Sequence, residues 1–141
     1  LGWFSALTRD EQMEIAGRFG EAMDIRAASL DMPVKLLSGG NQQKVILSRW
    51  LATDPTFLIL DEPTRGIDVG AHAEIVRTIN RLRDEGLALV VISSELDEVV
   101  AYSSRIVVMR DRELVAELNG ENINPGIIVQ AIANHREGAP A

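Results

Sequence analysis

Two short apolar segments without a charged residue most strongly constrain the fold of this chain. They are TFLIL (Thr56 to Leu60) and LALVVI (Leu87 to Ile92). Uncharged runs of this length are typical of β-strands covered on both faces. Between them, Ala71 to Glu85 carries apolar residues at helical spacing, and Gly86 follows where a helix often ends. A strand, a helix and a second strand predict an α/β fold with a parallel sheet and a right-handed crossover.

Further segments extend this pattern toward both ends of the chain. RIVVM (Arg105 to Met109) is predicted as a third strand of the sheet, and DRELVAEL (Asp111 to Leu118) as a turn followed by an edge strand. Thr8, with Glu11 three residues later, is a capping-box signature that predicts a helix start. A last helix is predicted from Ile123 to Asn134. The flanking helices would cover the sheet.

Charge and residue usage exclude several classes of function. The chain has 14 basic and 21 acidic residues, a formal net charge of -7, which argues against a nucleic-acid partner or an anionic membrane surface. It has no cysteine, which excludes disulfides and thiolate metal sites. His72 and His135 have no neighbour at metal-ligand spacing, so we expect a solvated side chain and a tail residue. Trp3 and Trp50 are expected to pack.

Adjacent carboxylates follow the first strand. Asp61 and Glu62 stand directly after TFLIL, and Pro63 comes next. Ligands in parallel α/β sheets bind beyond the carboxyl ends of the strands, where these acids would lie. One carboxylate could hold Mg²⁺ through water, and the other could orient or deprotonate an attacking water. The alternative is an acidic turn without chemistry.

A glycine pair opens the helix predicted from about Gly40 to Ala52. The stretch KLLSGGNQQKV (Lys35 to Val45) has free backbone N–H groups and a serine at a helix start, which together favour an anion. No acid occurs from Met32 to Thr53, whereas Lys35, Lys44 and Arg49 lie in that window. The alternative is that Ser38 merely caps the helix and the glycines form a tight turn.

Together these stretches resemble a known family. LLSGGNQQKVILSRWLATDPTFLILDEPTRGID is similar in order and spacing to the signature motif, Walker B strand and D-loop of ATP-binding cassette (ABC) ATPases. LSGGNQQKV, LDEPTRGIDVGA and ISSELDEV resemble the second cassette of double-cassette ATPases in bacterial sugar importers of the galactofuranose and ribose type. The resemblance covers roughly residues 1 to 120, and it implies a P-loop NTPase-like fold that binds ATP and Mg²⁺.

The resemblance also implies roles for single residues. The signature loop would close on the γ-phosphate of an ATP held by an opposite cassette, and its residues are Leu37, Ser38, Gly39, Gly40, Asn41 and Gln42. The D-loop, Arg65 to Asp68, would cross the interface between cassettes, with Asp68 in the nucleotide-binding set. Asp61 would serve Mg²⁺, and Glu62 would be the base or water-positioning acid.

Three departures from the family pattern bear on activity. Ser94 stands where most ABC ATPases have the switch histidine, and serine is a poor proton shuttle at neutral pH. Asn41 replaces the usual glutamine. The phosphate-binding motif G-x-x-x-x-G-K-[ST] does not occur in the sequence, whose two lysines are Lys35 and Lys44. We therefore expect the C-terminal portion of a cassette, with apolar strand surface left exposed.

On this interpretation residues 1–36 end the helical subdomain, residues 37–120 form the signature, Walker B, D-loop and switch part of the core, and residues 121–141 form a C-terminal helix and tail. Expected partners are a Walker A-bearing cassette, a transmembrane sugar permease and, indirectly, a periplasmic sugar-binding protein. The expected location is the cytoplasmic face of the bacterial inner membrane. Two alternatives remain: a catalytically silent module that lends its signature loop to a partner, and a non-transport ABC ATPase.

Overall fold

The computed structural model describes residues 7–134, which divide into two compact units between Val90 and Val91. The predictions for Trp3 and His135 lie outside the described residues. The helices and strands, in chain order, are α1 (Arg9–Ala22), α2 (Gly39–Leu51), β1 (Phe57–Asp61), α3 (Val69–Asp84), β2 (Ala88–Ile92), α4 (Leu96–Tyr102), β3 (Arg105–Arg110), β4 (Glu113–Asn119) and α5 (Pro125–Asn134). The predicted division after residues 36 and 120 separates parts of different function rather than compact units. It stays a prediction.

Side chains just before the helices fix where two of them start. The Thr8 amide and hydroxyl both donate to Glu11 Oε2, at 2.7 and 2.8 Å, so the predicted capping box of α1 is confirmed. Helix α3 starts at Val69, two residues before the predicted start. The reason is Asp68, whose Oδ1 accepts the Ala71 amide N–H at 3.0 Å and caps the helix.

The core of the first unit joins α2, α3 and β1 with Met23, the residue that follows α1. Met23, Leu47, Leu58 and Leu82 form its buried cluster. Every second residue of β1 is turned away from this cluster, and Phe57 and Ile59 remain 51% and 57% exposed. The expected exposure of apolar strand surface is thereby confirmed.

Strands β1 and β2 are hydrogen-bonded neighbours in a two-stranded sheet. The amide of Ala88, the first residue of β2, donates to the carbonyl of Thr56 directly before β1, at 3.3 Å. Because both strands begin at this bond, they run in the same direction, as predicted. Helix α3 is the connection between them.

The third strand does not extend this sheet, so that prediction was wrong. Strand β3 pairs with β4 in a separate antiparallel sheet, with Arg105 opposite Asn119 and Arg110 opposite Glu113. The pairing is local because Asp111 and Arg112, both with positive φ (51° and 69°), form a two-residue turn that suits a tight hairpin. The predicted turn and edge strand are confirmed.

The second unit has a core of its own, made by Ile106, Val108, Leu118 and Ile128. The last of these lies on α5, which begins at Pro125 rather than at the predicted Ile123. Asn124 precedes this helix and accepts the Ile127 amide at 3.0 Å. Among the helices of residues 7–134, none has the length and apolar character needed to cross a membrane.

Candidate functional site

The start of α2 carries most of the predicted nucleotide-binding residues. Ser38 caps the helix: its carbonyl accepts the Gln42 amide at 2.9 Å, and its Oγ lies 3.5 Å from the Asn41 amide nitrogen. The amides of Gly39 and Gly40 belong to the first turn, where an α-helix offers no acceptor of its own. Capping and anion binding are therefore compatible here, since the cap uses other amides than those available to an anion.

The glycine pair also permits a close contact with the segment after β1. Gly40 is buried, and a methyl group built on it would overlap Ala71 Cβ and lie 3.5 Å from Ala71 Cα. A methyl on the exposed Gly39 would come within 3.4 Å of Ile67 Cγ2. The structure thus places the predicted signature loop directly beside the predicted D-loop. From the sequence, the glycine pair was predicted as an anion site. Its close packing against Ile67 and Ala71 was not predicted.

Two amide side chains brace the same loop from inside. Gln42 Nε2 donates to the Leu37 carbonyl at 2.8 Å. The Asn41 side chain makes two bonds: Oδ1 accepts the Arg26 amide N–H at 2.9 Å, and Nδ2 donates to Ser38 Oγ at 2.8 Å. Both amides therefore hold the loop in place, and their membership of the nucleotide-binding set stays a prediction.

Lys44, which lies in the acid-free window, is not available to a ligand surface. It is 4% exposed, and its Nζ lies 2.7 Å from Glu74 Oε2 and donates to the Asp24 carbonyl at 2.9 Å. It ties α2 to α3 and to the turn after α1. The hydrogen bond from Lys44, supported by its charge, lowers the pKa of the Glu74 carboxyl below its ordinary value. Glu74, the acid that pairs with Lys44, lies outside the acid-free window from Met32 to Thr53.

The end of β1 holds the predicted carboxylate pair. Asp61 is the last residue of the strand and is exposed, whereas Glu62 is half-buried and has a positive φ of 47°. The Glu62 carbonyl accepts the Arg65 amide at 3.1 Å, which closes the turn through Pro63. A left-handed conformation is unfavourable for a non-glycine residue, although Asp24, Asp54, Asp111 and Arg112 also adopt it in this chain.

Replacing Glu62 by glycine is expected to raise the free energy of unfolding of the first unit by about 1 kcal/mol, because glycine adopts positive φ without strain. Chemical denaturation of the variant tests this. Glu62→Ala serves as the matched control, since it removes the same carboxylate but keeps the strain. Equal stabilities of the glycine and alanine variants would contradict a strained backbone at this position.

The predicted switch position lies in the second unit. Ser94 is exposed in the bend between β2 and α4. Its neighbour Ser93 organises the bend: Ser93 Oγ accepts the Glu95 amide at 3.0 Å and donates to Glu98 Oε2 at 3.1 Å. Glu98 is 3% exposed, so one of the two acids in the opening turn of α4 is a buried structural partner of Ser93.

Comparison with known proteins shows which family the chain resembles. Residues 6–65 match the ABC transporter family. The chain is 58% identical over 132 residues to the galactofuranose transporter ATP-binding protein YtfR of Escherichia coli K12, covering 94% of this chain and 26% of that protein. The chain is thus similar over most of its length to ATP-binding proteins of ABC transporters. It spans about a quarter of the length of the curated relatives it matches.

Other relatives and solved structures show the same similarity. The fructose import ATP-binding protein FruK of Bifidobacterium longum is 48% identical, with 94% of this chain and 26% of that protein covered. The ribose import ATP-binding protein RbsA of Roseobacter denitrificans is 45% identical, with 93% and 26% covered. A nucleotide-free ATP-binding cassette from an ABC transporter superposes with a TM-score of 0.75 at 27% identity, covering 88% of this chain and 51% of that one.

The ABC family implies ATP and Mg²⁺, and the exposed carboxylate at the end of β1 fits a shared metal site. Within residues 7–134 no group of three or more His, Cys, Asp or Glu side chains could hold a metal ion. Mg²⁺ is usually held by only one or two carboxylates together with water and substrate phosphates. Asp61 can supply one such carboxylate, and it borders a small open pocket of about 200 Å³ with Trp50 and Pro63. A bound Mg²⁺ would offset phosphate charge there.

A larger cavity lies away from these carboxylates. It has a volume of about 1160 Å³ and runs between α1 and α2, with Leu30, Val34 and Leu37 among its lining residues. Of the predicted site residues, only Leu37 borders it. The volume of a cavity therefore does not identify the predicted site in this chain.

Proposed function

We propose that this chain supplies the signature loop and Walker B carboxylates of the ATPase that drives a bacterial sugar importer. The observation that carries the proposal is the start of α2, where a capped helix that begins with two glycines lies against the segment that contains Ile67 and Ala71. This arrangement offers backbone donors to a phosphate at the edge where a second cassette would approach. Relatives whose names record galactofuranose, fructose and ribose import support a sugar as the imported substrate.

In the proposed complex, ATP is bound by the phosphate loop of a Walker A-bearing cassette and meets this chain on one side. The Gly39 and Gly40 amides and the Ser38 hydroxyl would donate to the terminal phosphate. Asp68, exposed beside them at the start of α3, would face the partner cassette. Donors held in place by the fold stabilise phosphate charge without reorganising when the ligand arrives.

The carboxylates at the end of β1 would serve a second nucleotide site. Asp61 would hold Mg²⁺ through water, and Glu62 would orient or deprotonate the attacking water. The switch position is Ser94, whose hydroxyl cannot take a proton at neutral pH as histidine does. The site beside Glu62 is accordingly proposed to turn over slowly, and the signature loop to be the more important contribution of this chain.

The remaining partners follow from the proposed role in import. A transmembrane sugar permease would change conformation when the cassettes bind and hydrolyse ATP, and a periplasmic sugar-binding protein would deliver the sugar to it. This chain would be bound peripherally on the cytoplasmic face of the inner membrane. The second candidate function is a silent module that only lends its signature loop. The serine at position 94 favours that candidate for the site beside Glu62.

A reconstitution experiment tests the proposed function. ATP turnover is measured for this chain alone, for the separately expressed first cassette of a double-cassette sugar-import ATPase, and for the two together. We expect no turnover from this chain alone and a marked gain for the pair. Ser38→Arg should return the pair to the rate of the first cassette alone, because a bulky cation would fill the space of the terminal phosphate.

The matched control is Ser104→Arg, which places the same side chain at an exposed serine in the bend before β3. It should leave the turnover of the pair unchanged. Turnover by this chain alone, or a pair insensitive to Ser38→Arg, would refute the assignment of the signature loop.

A further inference from the structure

The orientation of the Asn41 side chain is settled by one hydrogen bond. A backbone N–H can only donate, so the Asn41 atom 2.9 Å from the Arg26 nitrogen must be the amide oxygen. The other end of the amide, 2.8 Å from Ser38 Oγ, is then the NH₂ group. The direction of the second bond follows: Asn41 donates, and the serine oxygen accepts.

This bond determines what the Ser38 hydroxyl can still do. Its oxygen accepts from Asn41 Nδ2 at 2.8 Å and, more weakly, from the Asn41 amide nitrogen at 3.5 Å. A serine hydroxyl has two acceptor lone pairs and one donor hydrogen. Both acceptor positions are directed at Asn41, and within residues 7–134 the hydroxyl donates to no protein group. Its hydrogen is therefore left for an acceptor outside the protein.

We propose that Asn41 is a positioning residue that fixes the Ser38 hydroxyl as a hydrogen-bond donor to the terminal phosphate of ATP. The proposal rests on the proposed function and deepens it. A phosphate oxygen can only accept, so a hydroxyl whose oxygen is already engaged by Asn41 is ready for it before ATP arrives. The Arg26 backbone holds the far end of the amide, which links the connection after α1 to the phosphate-facing serine.

Asn41→Asp tests the proposal, because aspartate has the same shape and reverses the polarity of this one bond. One carboxylate oxygen keeps the bond from the Arg26 amide, while the other accepts the Ser38 hydroxyl and turns its hydrogen away from the ligand. An acid in the first turn of α2 is compatible with the helix dipole, so the thermal melt should not fall. For the reconstituted pair we expect the KM for ATP to rise roughly ten- to a hundredfold, the effect of one lost hydrogen bond to a charged group, with a smaller change in kcat.

A double-mutant cycle separates positioning from simple charge repulsion. In a Ser38→Ala background the hydroxyl is absent, so Asn41→Asp should add almost nothing to the rise in KM. If the new carboxylate acted by repelling phosphate, its effect would persist in that background, and the proposal would be overturned. A normal KM for Asn41→Asp would also overturn it. A pair insensitive to Ser38→Arg would instead refute the proposed function.

Discussion

Replacing Gly40 by alanine is expected to lower the free energy of unfolding of the first unit by about 1–3 kcal/mol. The added methyl overlaps Ala71 Cβ. Both residues lie in the first turn of a helix, where the backbone cannot shift without moving the rest of that helix. The clash must therefore be relieved by separating α2 from α3. Urea denaturation followed by circular dichroism measures the loss. An unchanged midpoint would show that the two helices are less closely packed than the structure indicates.

Two further variants make the Gly40 experiment specific. Gly39→Ala introduces the same methyl one residue earlier, where the nearest atom is 3.4 Å away on the side chain of Ile67, and it should cost much less. Gly40→Ala combined with Ala71→Gly moves the methyl from one helix to the other. Since the summed volume is unchanged, the double variant should recover most of the lost stability. Additive losses would contradict a direct contact between positions 40 and 71.

Glu74→Gln is expected to destabilise the first unit more than Lys44→Met does, although both break the same ion pair. The glutamine variant leaves the buried Lys44 ammonium without its counter-charge, and a buried unpaired charge is costly. The methionine variant leaves only Glu74, whose side chain is 34% exposed and can be hydrated. Thermal melts at pH 7 compare the two. The opposite order would show that Lys44 reaches water in the folded state.

The same pair predicts a pH dependence. The Lys44 hydrogen bond lowers the pKa of Glu74 in the folded state. The ion pair therefore contributes its full stability above the pKa that a glutamate has in the unfolded chain, about 4.3. The contribution is lost as the pH falls from there through the lower folded pKa. The difference in melting temperature between the wild type and Glu74→Gln should therefore be largest near neutrality and vanish in acid. A constant difference would exclude titration of Glu74 as its cause.

Local signals in the sequence predicted most of the elements. The capping box at Thr8 and the helix α3 are set by residues a few positions apart, and their patterns were sufficient. The hairpin turn at Asp111 and Arg112 was also predicted as a turn. What failed was the partner of β3, because an apolar run shows that a strand is buried but not which strand lies beside it.

The candidate site was predicted as a set of positions, whereas the way it is held depends on contacts distant in sequence. Gly40 needs Ala71, and Lys44 needs Glu74, and neither pairing is encoded near the residue it affects. The small residues at the start of α3, in DVGAHAEI, were a usable signal, since a glycine on one helix and small residues on another favour close packing. The positive φ of Glu62 has no counterpart in the sequence pattern.

The two separate cores allow the halves of the chain to be observed by different intrinsic fluorophores. Trp50, near the end of α2, is 58% exposed in the unit that ends at Val90, whereas the chain's single tyrosine, Tyr102, is 4% exposed in the other unit. In a Trp3→Phe variant, emission excited selectively from tryptophan comes from Trp50 alone and reports on the surroundings of the end of α2. Tyrosine absorbance reports on the packing around α4. Optical spectroscopy of the unlabelled chain can therefore reveal whether the two cores melt together or one after the other.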